Sequence, residues 1–310
     1  MNNRFVVSYA PFVRSSNDIN KMFVYTSIIL ILPLVYGCFF FGFSSLLIAL
    51  VSVGICFLSE SLFNLLTIKK FKVTDLSFLV SGLILALTMP IKMPLYIVAI
   101  SAFLASFVVK MLFGGLGKND FNPAIIGRLF AGVLASGLST DLYELTMNGE
   151  VYKSFTAGGE NGILNLITGK AVGGIGTTCV AIMLIAYAFL VYMSVIDWKT
   201  PLLSAISYLV VSYLLCGMEQ AVLNLFSGSF LFVCVFMITE PNTSASTFFG
   251  KIFYSIMFGA LSAWLWSLGV MGEDTIFVAA LIVNILAPLM NKYLFIKQKP
   301  LGGYRYASKN

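Results

Sequence analysis

The sequence predicts an all-α polytopic membrane protein with about ten transmembrane helices, and two observations support this fold class. First, 59% of the 310 residues are hydrophobic, only 10% are charged, and the mean hydropathy is +0.95. A soluble domain carries about 25% charged residues, so this chain has too few to cover its surface against water. Second, apolar runs of membrane-spanning length recur along the chain between short turns. Lipid is therefore the expected solvent for most of the surface.

The apolar runs can be assigned in chain order. Runs of about 20 residues suit helices that cross the hydrocarbon core of a bilayer. Turn-forming residues stand between several of them, including Gly42, Pro90, Pro94 and Pro201. The runs cover residues 22–42, 45–67, 76–91, 94–113, 121–138, 175–196, 201–217, 220–239, 252–270 and 275–295.

The lysines and arginines predict the orientation of these helices. If the N-terminus is cytoplasmic, Lys92, Lys153 and Lys170 are the exceptions among 19 basic residues, and the other sixteen lie on the cytoplasmic side. Cytoplasmic loops of membrane proteins carry such an excess of positive charge. We therefore expect a multi-pass protein of the bacterial cytoplasmic (inner) membrane with both termini in the cytoplasm. The positive charge indicates topology and no nucleic-acid partner. Lys110, near the end of the fourth run, is expected to extend its amine to the cytoplasmic surface, and the alternative is that it contacts a cofactor.

One long polar segment divides the chain. Residues 139–174 form the expected extracytoplasmic loop, and long loops in compact folds are usually functional or disordered. Residues 1–138 then form an N-terminal half of five helices, and residues 175–310 form a C-terminal half of five helices with a basic cytoplasmic tail. Five helices per half give the halves opposite directions, which leaves an inverted repeat open.

Several cofactor classes are disfavoured by composition. The chain has no histidine, which excludes a histidine-ligated haem or zinc site. Its cysteines lie singly in apolar segments with no Cys-x-x-Cys pair, so four cysteine ligands for an iron–sulfur cluster are not expected from this chain. They are Cys38, Cys56, Cys179, Cys216 and Cys234.

Residues 114–128, Gly-Gly-Leu-Gly-Lys-Asn-Asp-Phe-Asn-Pro-Ala-Ile-Ile-Gly-Arg, are the most informative polar stretch. Glycines such as Gly115 let the backbone approach a ligand and expose its N–H groups. The amides of Asn119 and Asn122 both donate and accept hydrogen bonds, as the edge of a flavin or quinone ring requires. The alternative is a tight turn between helices, with a capping Asn before Pro123.

A second polar stretch covers residues 238–247 and contains Glu240, Pro241 and Thr243. A proline-broken polar segment at membrane depth is tolerated where it is buried in protein or lines a cavity. The alternative is an ordinary cytoplasmic loop that caps the next helix.

Glu60 is an ionisable residue within the second apolar run. A carboxylate in hydrocarbon is costly, so Glu60 should face the helix bundle or water. It could lie on an ion pathway, binding Na⁺ or relaying a proton. Alternatively, it pairs with Lys69 or Lys70 near the interface.

Residues 114–128 resemble the GGLGxNxFNPAxxGR signature of the RnfD/NqrB family. The likeness extends over most of the chain, and the length resembles RnfD more than the longer NqrB. Similar stretches are residues 8–20, 82–90, 173–178, 197–201 and 239–241. The resemblance implies a membrane subunit of an Rnf-type complex, in which electrons pass between ferredoxin and NAD while Na⁺ or H⁺ is moved. The implied partners are the other membrane and peripheral subunits and the lipid bilayer.

The same resemblance implies two flavins. One is FMN joined by a phosphoester to a threonine of the outer loop, and the other is riboflavin or another non-covalent flavin nearer the cytoplasm. Carried over to this sequence, Asn119 and Asn122 would contact the non-covalent flavin. Glu240 and Thr243 are further candidates for that contact, and Gly115 belongs to the same turn.

The covalent attachment is where the sequence departs from the family. The family's FMN sits on the last threonine of Asp-x-x-Ser/Thr-Gly-Ala-Thr, and this chain contains no Gly-Ala-Thr. Thr146 lies at about the expected distance before the turn at residue 173. Thr156 has an acidic residue, Glu150, six positions before it but lies closer to that turn. The third alternative is that no flavin is covalently attached.

Three functions therefore stay open. The first is a flavin-carrying subunit of a redox-driven ion pump, a translocase that is not catalytic alone. The second is a structural anchor of the complex that lacks covalent FMN. The third is a non-redox permease built on the same frame. Residues 114–128 favour the first two, and the missing Gly-Ala-Thr favours the second.

Overall fold

A computed structural model of the chain describes residues 19–68, 76–115, 117, 119, 121–136, 167, 169, 173–226, 228–269 and 272–293. These described residues form helices and turns and contain no β-strand. The predicted all-α class is therefore confirmed.

Five helical segments form the N-terminal half. A single residue, Gly42, separates the first two, and its positive φ of 79° allows the chain to reverse there. The fourth helix continues without interruption into a wider π-helix, which we call π1. The segments are α1 (Ile19–Phe41), α2 (Phe43–Ile68), α3 (Ser77–Thr88), α4 (Leu95–Phe103) with π1 (Leu104–Leu112), and α5 (Pro123–Ser136).

The C-terminal half also contains five segments among the described residues, of which the third is broken. Its two parts are bent by 61° about a break near Gly228, and its second part ends in another π-helix, π2. The segments are α6 (Val180–Tyr192), α7 (Lys199–Cys216), α8 (Met218–Phe226) followed by α9 (Phe230–Phe232) and π2 (Val233–Met237), α10 (Phe248–Ser267) and α11 (Asp274–Tyr293).

Each predicted run coincides with one of these segments, but not every segment crosses a bilayer by length. In the described ranges, 6 helices are long and apolar enough to do so, or up to 7 if the bent pair is one span. The helices α3, α5 and α6 have 12, 14 and 13 residues. A helix of that length is about 20 Å long, against about 30 Å of hydrocarbon. The polytopic class is confirmed, whereas the described residues contain fewer helices of spanning length than the ten that the sequence predicts, because three of the segments are short.

Large apolar side chains cover much of the outer surface. Phe39, Leu50 and Leu214 are 86%, 61% and 75% exposed. A soluble monomer rarely exposes contiguous apolar area on this scale, so lipid or neighbouring membrane helices cover these faces. This surface agrees with a multi-pass membrane protein.

Small residues bring the helices into close contact, as is typical of membrane helix packing. A Cβ on Gly82 of α3 would lie 2.8 Å from the Cα of Val53 in α2. Ser52 Oγ donates a hydrogen bond of 2.8 Å to the Gly82 carbonyl at the same crossing. In the other half, Gly259 of α10 packs directly on the backbone of α7.

The packing order is similar in the two halves. The second segment packs on the fourth in each half, α2 on α4 and α7 on α10, and the third contacts the fifth. Each half also contains one π-helix. An internal repeat would produce this correspondence, while the inversion and the boundaries of the two halves stay predictions.

Two basic residues counted in the orientation argument are buried among the helices. Lys110 and Arg128 are 3% and 1% exposed, and both form ion pairs inside the fold. The expectation that Lys110 reaches the cytoplasmic surface is wrong, because acidic partners hold its amine within the bundle. The remaining basic residues still carry the orientation argument.

Candidate functional site

A cavity of about 230 Å³ lies where both halves meet, and both π-helices contribute to its wall. We call it the Asn119 cavity. Most of its wall is apolar, and a few polar groups converge on it, as is typical of cofactor sites. The π-helices are rare and frequently occur at functional sites. The lining residues are Ile19, Met22, Phe23, Thr26, Ser77, Val80, Ser81, Ile84, Lys110, Gly117, Asn119, Asn122, Pro123, Ala124, Leu190, Val195, Ile196, Val235, Phe236, Thr239, Glu240, Pro241 and Asn242.

Asn119 lines this cavity and is 4% exposed. Its Nδ2 donates a 3.2 Å hydrogen bond to the Phe121 carbonyl, which fixes the orientation of the side chain. Its Oδ1 is buried and has no hydrogen-bond partner among the described residues. A buried acceptor without a partner costs free energy, so this oxygen is a place where a ligand donor would bind favourably.

Asn122 also lines the cavity, but its side chain has a structural task. Its Oδ1 accepts hydrogen bonds from the backbone N–H groups of Ala124 at 2.9 Å and Ile125 at 3.4 Å, which caps the start of α5. Its Nδ2 donates to the Met237 carbonyl at 3.4 Å, joining α5 to π2. The alternative interpretation of Asn122 as a helix cap therefore describes its contacts, although the residue still contributes to the cavity wall.

Gly115 does not line the cavity. It lies in the turn after π1 with φ of 82°, and its N–H donates a 3.0 Å hydrogen bond to the Lys110 carbonyl. The left-handed backbone closes the end of the helix, which a glycine does at no steric cost. Its contribution is to place Gly117 and Asn119 at the cavity.

Glu240 follows π2 and lines the cavity. Thr243 does not line the cavity but forms a hydrogen bond with Glu240. Thr243 is buried outside the cavity wall, and its Oγ1 donates to Glu240 Oε2 at 3.5 Å. Removal from bulk water raises the pKa of the Glu240 carboxyl to about 7, and the nearby Lys110 charge and the Thr243 hydrogen bond only partly oppose this effect. The half-buried carboxyl therefore changes charge near neutral pH at the cavity wall.

Lys110 brings a fixed positive charge to the same wall. Its Nζ pairs with Glu60 Oε1 and donates a 2.7 Å hydrogen bond to Ser77 Oγ. Ser106 Oγ donates to the same Glu60 oxygen at 3.4 Å. Glu60 therefore faces the bundle, as expected. Its suggested partners Lys69 and Lys70 lie outside the described residues, so its role on an ion pathway stays a prediction.

A second cavity of about 220 Å³ adjoins the Asn119 cavity and shares Val195, Ile196, Thr239 and Pro241 with it. We call it the Asp197 cavity. Its wall is more polar, because Asp197, Thr200, Ser244, Ser246 and Lys251 contribute to it. Lys251 Nζ and Asp197 Oδ2 lie 3.4 Å apart and largely neutralise each other. The two cavities together form one recess with an apolar part and a hydroxyl-rich part.

The two threonines considered for covalent FMN cannot be placed. Thr146 and Thr156 both lie outside the described residues, as does most of the predicted loop at 139–174.

Lys110 is the cavity residue that sequence reasoning assigned wrongly. Their pairing could have been predicted, because Glu60 and Lys110 carry opposite charges and both lie within apolar runs of the same half. Charged residues inside membrane segments usually pair with one another.

Comparison with known proteins places these observations in a family. The sequence pattern of the NQR2, RnfD, RnfE family matches residues 6–302. The chain is 26% identical to the D subunit of the proton-translocating ferredoxin:NAD(+) oxidoreductase complex of Clostridium ljungdahlii, over 94% of this chain and 95% of that protein. It is 28% identical to the D subunit of the Na(+)-translocating complex of Acetobacterium woodii, over 93% and 92%. It is 29% identical to the D subunit of an ion-translocating oxidoreductase complex of Methanosarcina acetivorans, over 96% and 98%.

Proposed function

Because the chain belongs to the NQR2, RnfD, RnfE family, we propose that it is the flavin-carrying membrane subunit of an ion-translocating ferredoxin:NAD oxidoreductase complex. Its partners are the other subunits of that complex, and it is not catalytic alone. The relatives named above differ in the ion they move, so both H⁺ and Na⁺ remain open for this chain.

The observation that carries the flavin proposal is the orphaned carboxamide oxygen of Asn119 in the Asn119 cavity. An isoalloxazine ring presents an N–H donor at its edge, and Asn119 Oδ1 is an acceptor that lacks one. Phe23 and Phe236 also line the cavity, and aromatic side chains favour contact with a planar ring. The hydroxyls of the adjoining Asp197 cavity suit the polyol chain of riboflavin.

The bound flavin would supply one- and two-electron redox chemistry, and the protein's contribution is position and electrostatics. Asn119 orients the ring edge through its fixed carboxamide. Lys110 places a positive charge at the wall, which favours electron arrival, while ionised Glu240 opposes it. The apolar wall excludes water from the redox centre.

The orientation in the membrane belongs to the same proposal. The proposed protein spans the bacterial inner membrane with both termini in the cytoplasm, and the excess of basic residues in the predicted cytoplasmic segments supports this orientation. The Asn119 cavity then opens near the cytoplasmic ends of the helices, because Asn119, Glu240 and the start of α3 all belong to that side.

The complex would be purified and its visible spectrum recorded before and after denaturation, with filtration to separate protein from small molecules. The chain would also be isolated from the complex and treated in the same way. The proposal predicts a flavin spectrum in the native sample and free flavin in the filtrate of the isolated chain. A colourless native chain would contradict it and favour the permease function.

Covalent FMN is tested separately by the intact mass of the chain and by ultraviolet fluorescence of its band on a denaturing gel. An FMN adduct would be mapped to Thr146 or Thr156 by peptide analysis. An unmodified mass with flavin in the native sample would identify a protein that keeps only the non-covalent flavin.

A further inference from the structure

Glu273 is a buried carboxylate that the proposed flavin site does not use. It immediately precedes α11 and is 7% exposed. Its Oε2 accepts a 3.4 Å hydrogen bond from Ser229 Oγ, whereas its Oε1 has no hydrogen-bond partner among the described residues. An unpartnered carboxylate oxygen in a protein interior is costly, so a partner for Oε1 is expected.

Hydroxyl groups surround this carboxylate. Ser229 Oγ lies 3.5 Å from Thr177 Oγ1, and Thr178 Oγ1 is buried without a partner in the described ranges. A Cβ built on Gly173 would lie 3.6 Å from Glu273 Oε1 and 3.3 Å from Thr178 Cγ2. The two side chains without hydrogen-bond partners therefore flank the same glycine, whose missing side chain lets them approach each other.

The break in the third segment of the C-terminal half lies beside the same carboxylate. Gly228 and Ser229 lie at this break, where α8 and α9 are bent by 61°. A Cβ on Gly228 would lie 3.6 Å from Glu273 Oε1, so the break faces the same oxygen. In membrane transport proteins, backbone carbonyls at broken helices coordinate small cations.

Among the described residues, two carboxylates and one guanidinium lie in this region. Arg128 pairs with Asp274 at 2.7 Å, its Nε donates to the Thr88 carbonyl at 2.9 Å, and its guanidinium lies 5.2 Å from the centre of the Phe277 ring. Arg128 therefore forms its ion pair with Asp274, and Glu273 has no ion pair of its own among the described residues. The described residues contain no group of three or more acidic, cysteine or histidine side chains that would hold a multivalent metal ion.

We propose that Glu273, Ser229, Thr177 and Thr178 bind one monovalent cation of the Na⁺ class at the helix break. A hard monovalent cation matches one carboxylate surrounded by hydroxyl and carbonyl oxygens. The inference rests on the proposed place in an ion-translocating complex and not on the flavin. Ser229 precedes Val235 of the Asn119 cavity by about 9 Å of helix, so the two sites share one structural element.

The test is equilibrium binding of radioactive Na⁺ to the intact complex, purified in choline buffer, with the flavin spectrum recorded on the same sample. Glu273→Gln is compared with Glu219→Gln, which changes an exposed carboxylate at the start of α8. Ser229→Ala is a second variant that keeps the negative charge.

We expect Glu273→Gln to bind one Na⁺ fewer per complex than the wild type. Ser229→Ala should lower the affinity for that Na⁺ about tenfold, and Glu219→Gln should bind Na⁺ like the wild type. If Glu273→Gln does not assemble, the Ser229→Ala result decides. Equal Na⁺ stoichiometry and affinity in wild type, Glu273→Gln and Ser229→Ala would overturn the proposal, and would indicate that a proton satisfies Glu273. If the sample keeps its flavin spectrum, such a result contradicts the cation site alone. A sample without a flavin spectrum contradicts the proposed function.

Discussion

At the scale of single residues, Asn119 is the side chain with the most direct test. Asn119→Ala removes the orphaned oxygen without removing a helix cap, so we expect the native flavin content to fall while membrane insertion is unchanged. Asn122→Ala tests flavin binding less specifically, because the loss of the helix cap by itself lowers the free energy of unfolding by about 1 kcal/mol. The measurement is flavin absorbance per mole of purified protein.

The matched control for this substitution is Asn224→Ala. Asn224 is also a buried asparagine, but its Oδ1 accepts from Gln220 at 3.3 Å on α8 and does not line the Asn119 cavity. Its flavin content should equal that of the wild type. Equal flavin in both variants would remove Asn119 from the site.

The buried pair of Lys110 and Glu60 gives a prediction about stability. Lys110→Met leaves the largely buried Glu60 carboxylate without its cationic partner, so we expect the free energy of unfolding to fall by about 3–5 kcal/mol. The double variant Lys110→Met with Glu60→Gln should recover much of this loss. Unfolding of the detergent-solubilised protein is the measurement.

The more exposed ion pair of Lys251 and Asp197 is the control for the Lys110 and Glu60 variants. Their side chains are 37% and 35% exposed, so Lys251→Met should cost less than about 1 kcal/mol. If both lysine substitutions have the same small effect, the Lys110 pair is not tightly buried.

Glu240 predicts a pH dependence. Because burial raises the pKa of its carboxyl to about 7, the group is neutral below that pH and anionic above it. The anion disfavours electron arrival, so the reduction potential of the bound flavin should fall more steeply around pH 7 in the wild type than in Glu240→Gln. Spectroelectrochemical titrations at several pH values test this, and identical slopes would separate Glu240 from the flavin.

At the scale of helices, close packing depends on specific glycines. A Cβ on Gly259 would lie 2.8 Å from the Tyr208 backbone nitrogen, whereas one on Gly54 of α2 would meet nothing within 4 Å. Gly259→Ala should therefore lower the free energy of unfolding by about 1–3 kcal/mol. Gly54→Ala should be neutral or slightly stabilising, by up to about 1 kcal/mol, since alanine favours the helix. Thermal unfolding in detergent distinguishes them, and equal midpoints would contradict the α7–α10 packing.

The helices also show what a single sequence can predict. Composition predicted every segment, because an apolar run has no other stable arrangement in lipid. It did not predict the π-helices or the bend near Gly228, since local residue preferences do not distinguish a π-helix from an α-helix. The length of α3 was overestimated because the turn that follows it, with Met89 and Pro90, is also apolar and buried.

The candidate site also has residues that the sequence predicts and contacts that it does not predict. Polar residues in apolar surroundings pointed to Asn119 and Glu240, and the structure places both on one cavity. The pairing of Lys110 with Glu60 and of Arg128 with Asp274 depends on contacts between residues far apart in the chain. Such contacts are set by tertiary packing, which one sequence does not specify.

At the scale of the whole molecule, two short helices connect the two proposed sites. The start of α3 lines the Asn119 cavity, and its last residue, Thr88, accepts the hydrogen bond from Arg128 beside Glu273. The broken segment is a second link, since it runs from Ser229 at the proposed cation site to Phe236 at the Asn119 cavity. The broken segment therefore contributes residues to both proposed sites, and α3 links the Asn119 cavity to Arg128, the neighbour of the proposed cation site.

Flavin binding in the Asn119 cavity is tested most directly by a cryo-electron microscopy map of the assembled complex. We expect planar density of an isoalloxazine ring, with a donor edge within hydrogen-bond distance of Asn119 Oδ1 and the polyol chain in the Asp197 cavity. A cavity filled by lipid or by side chains of a neighbouring protein would contradict flavin binding there.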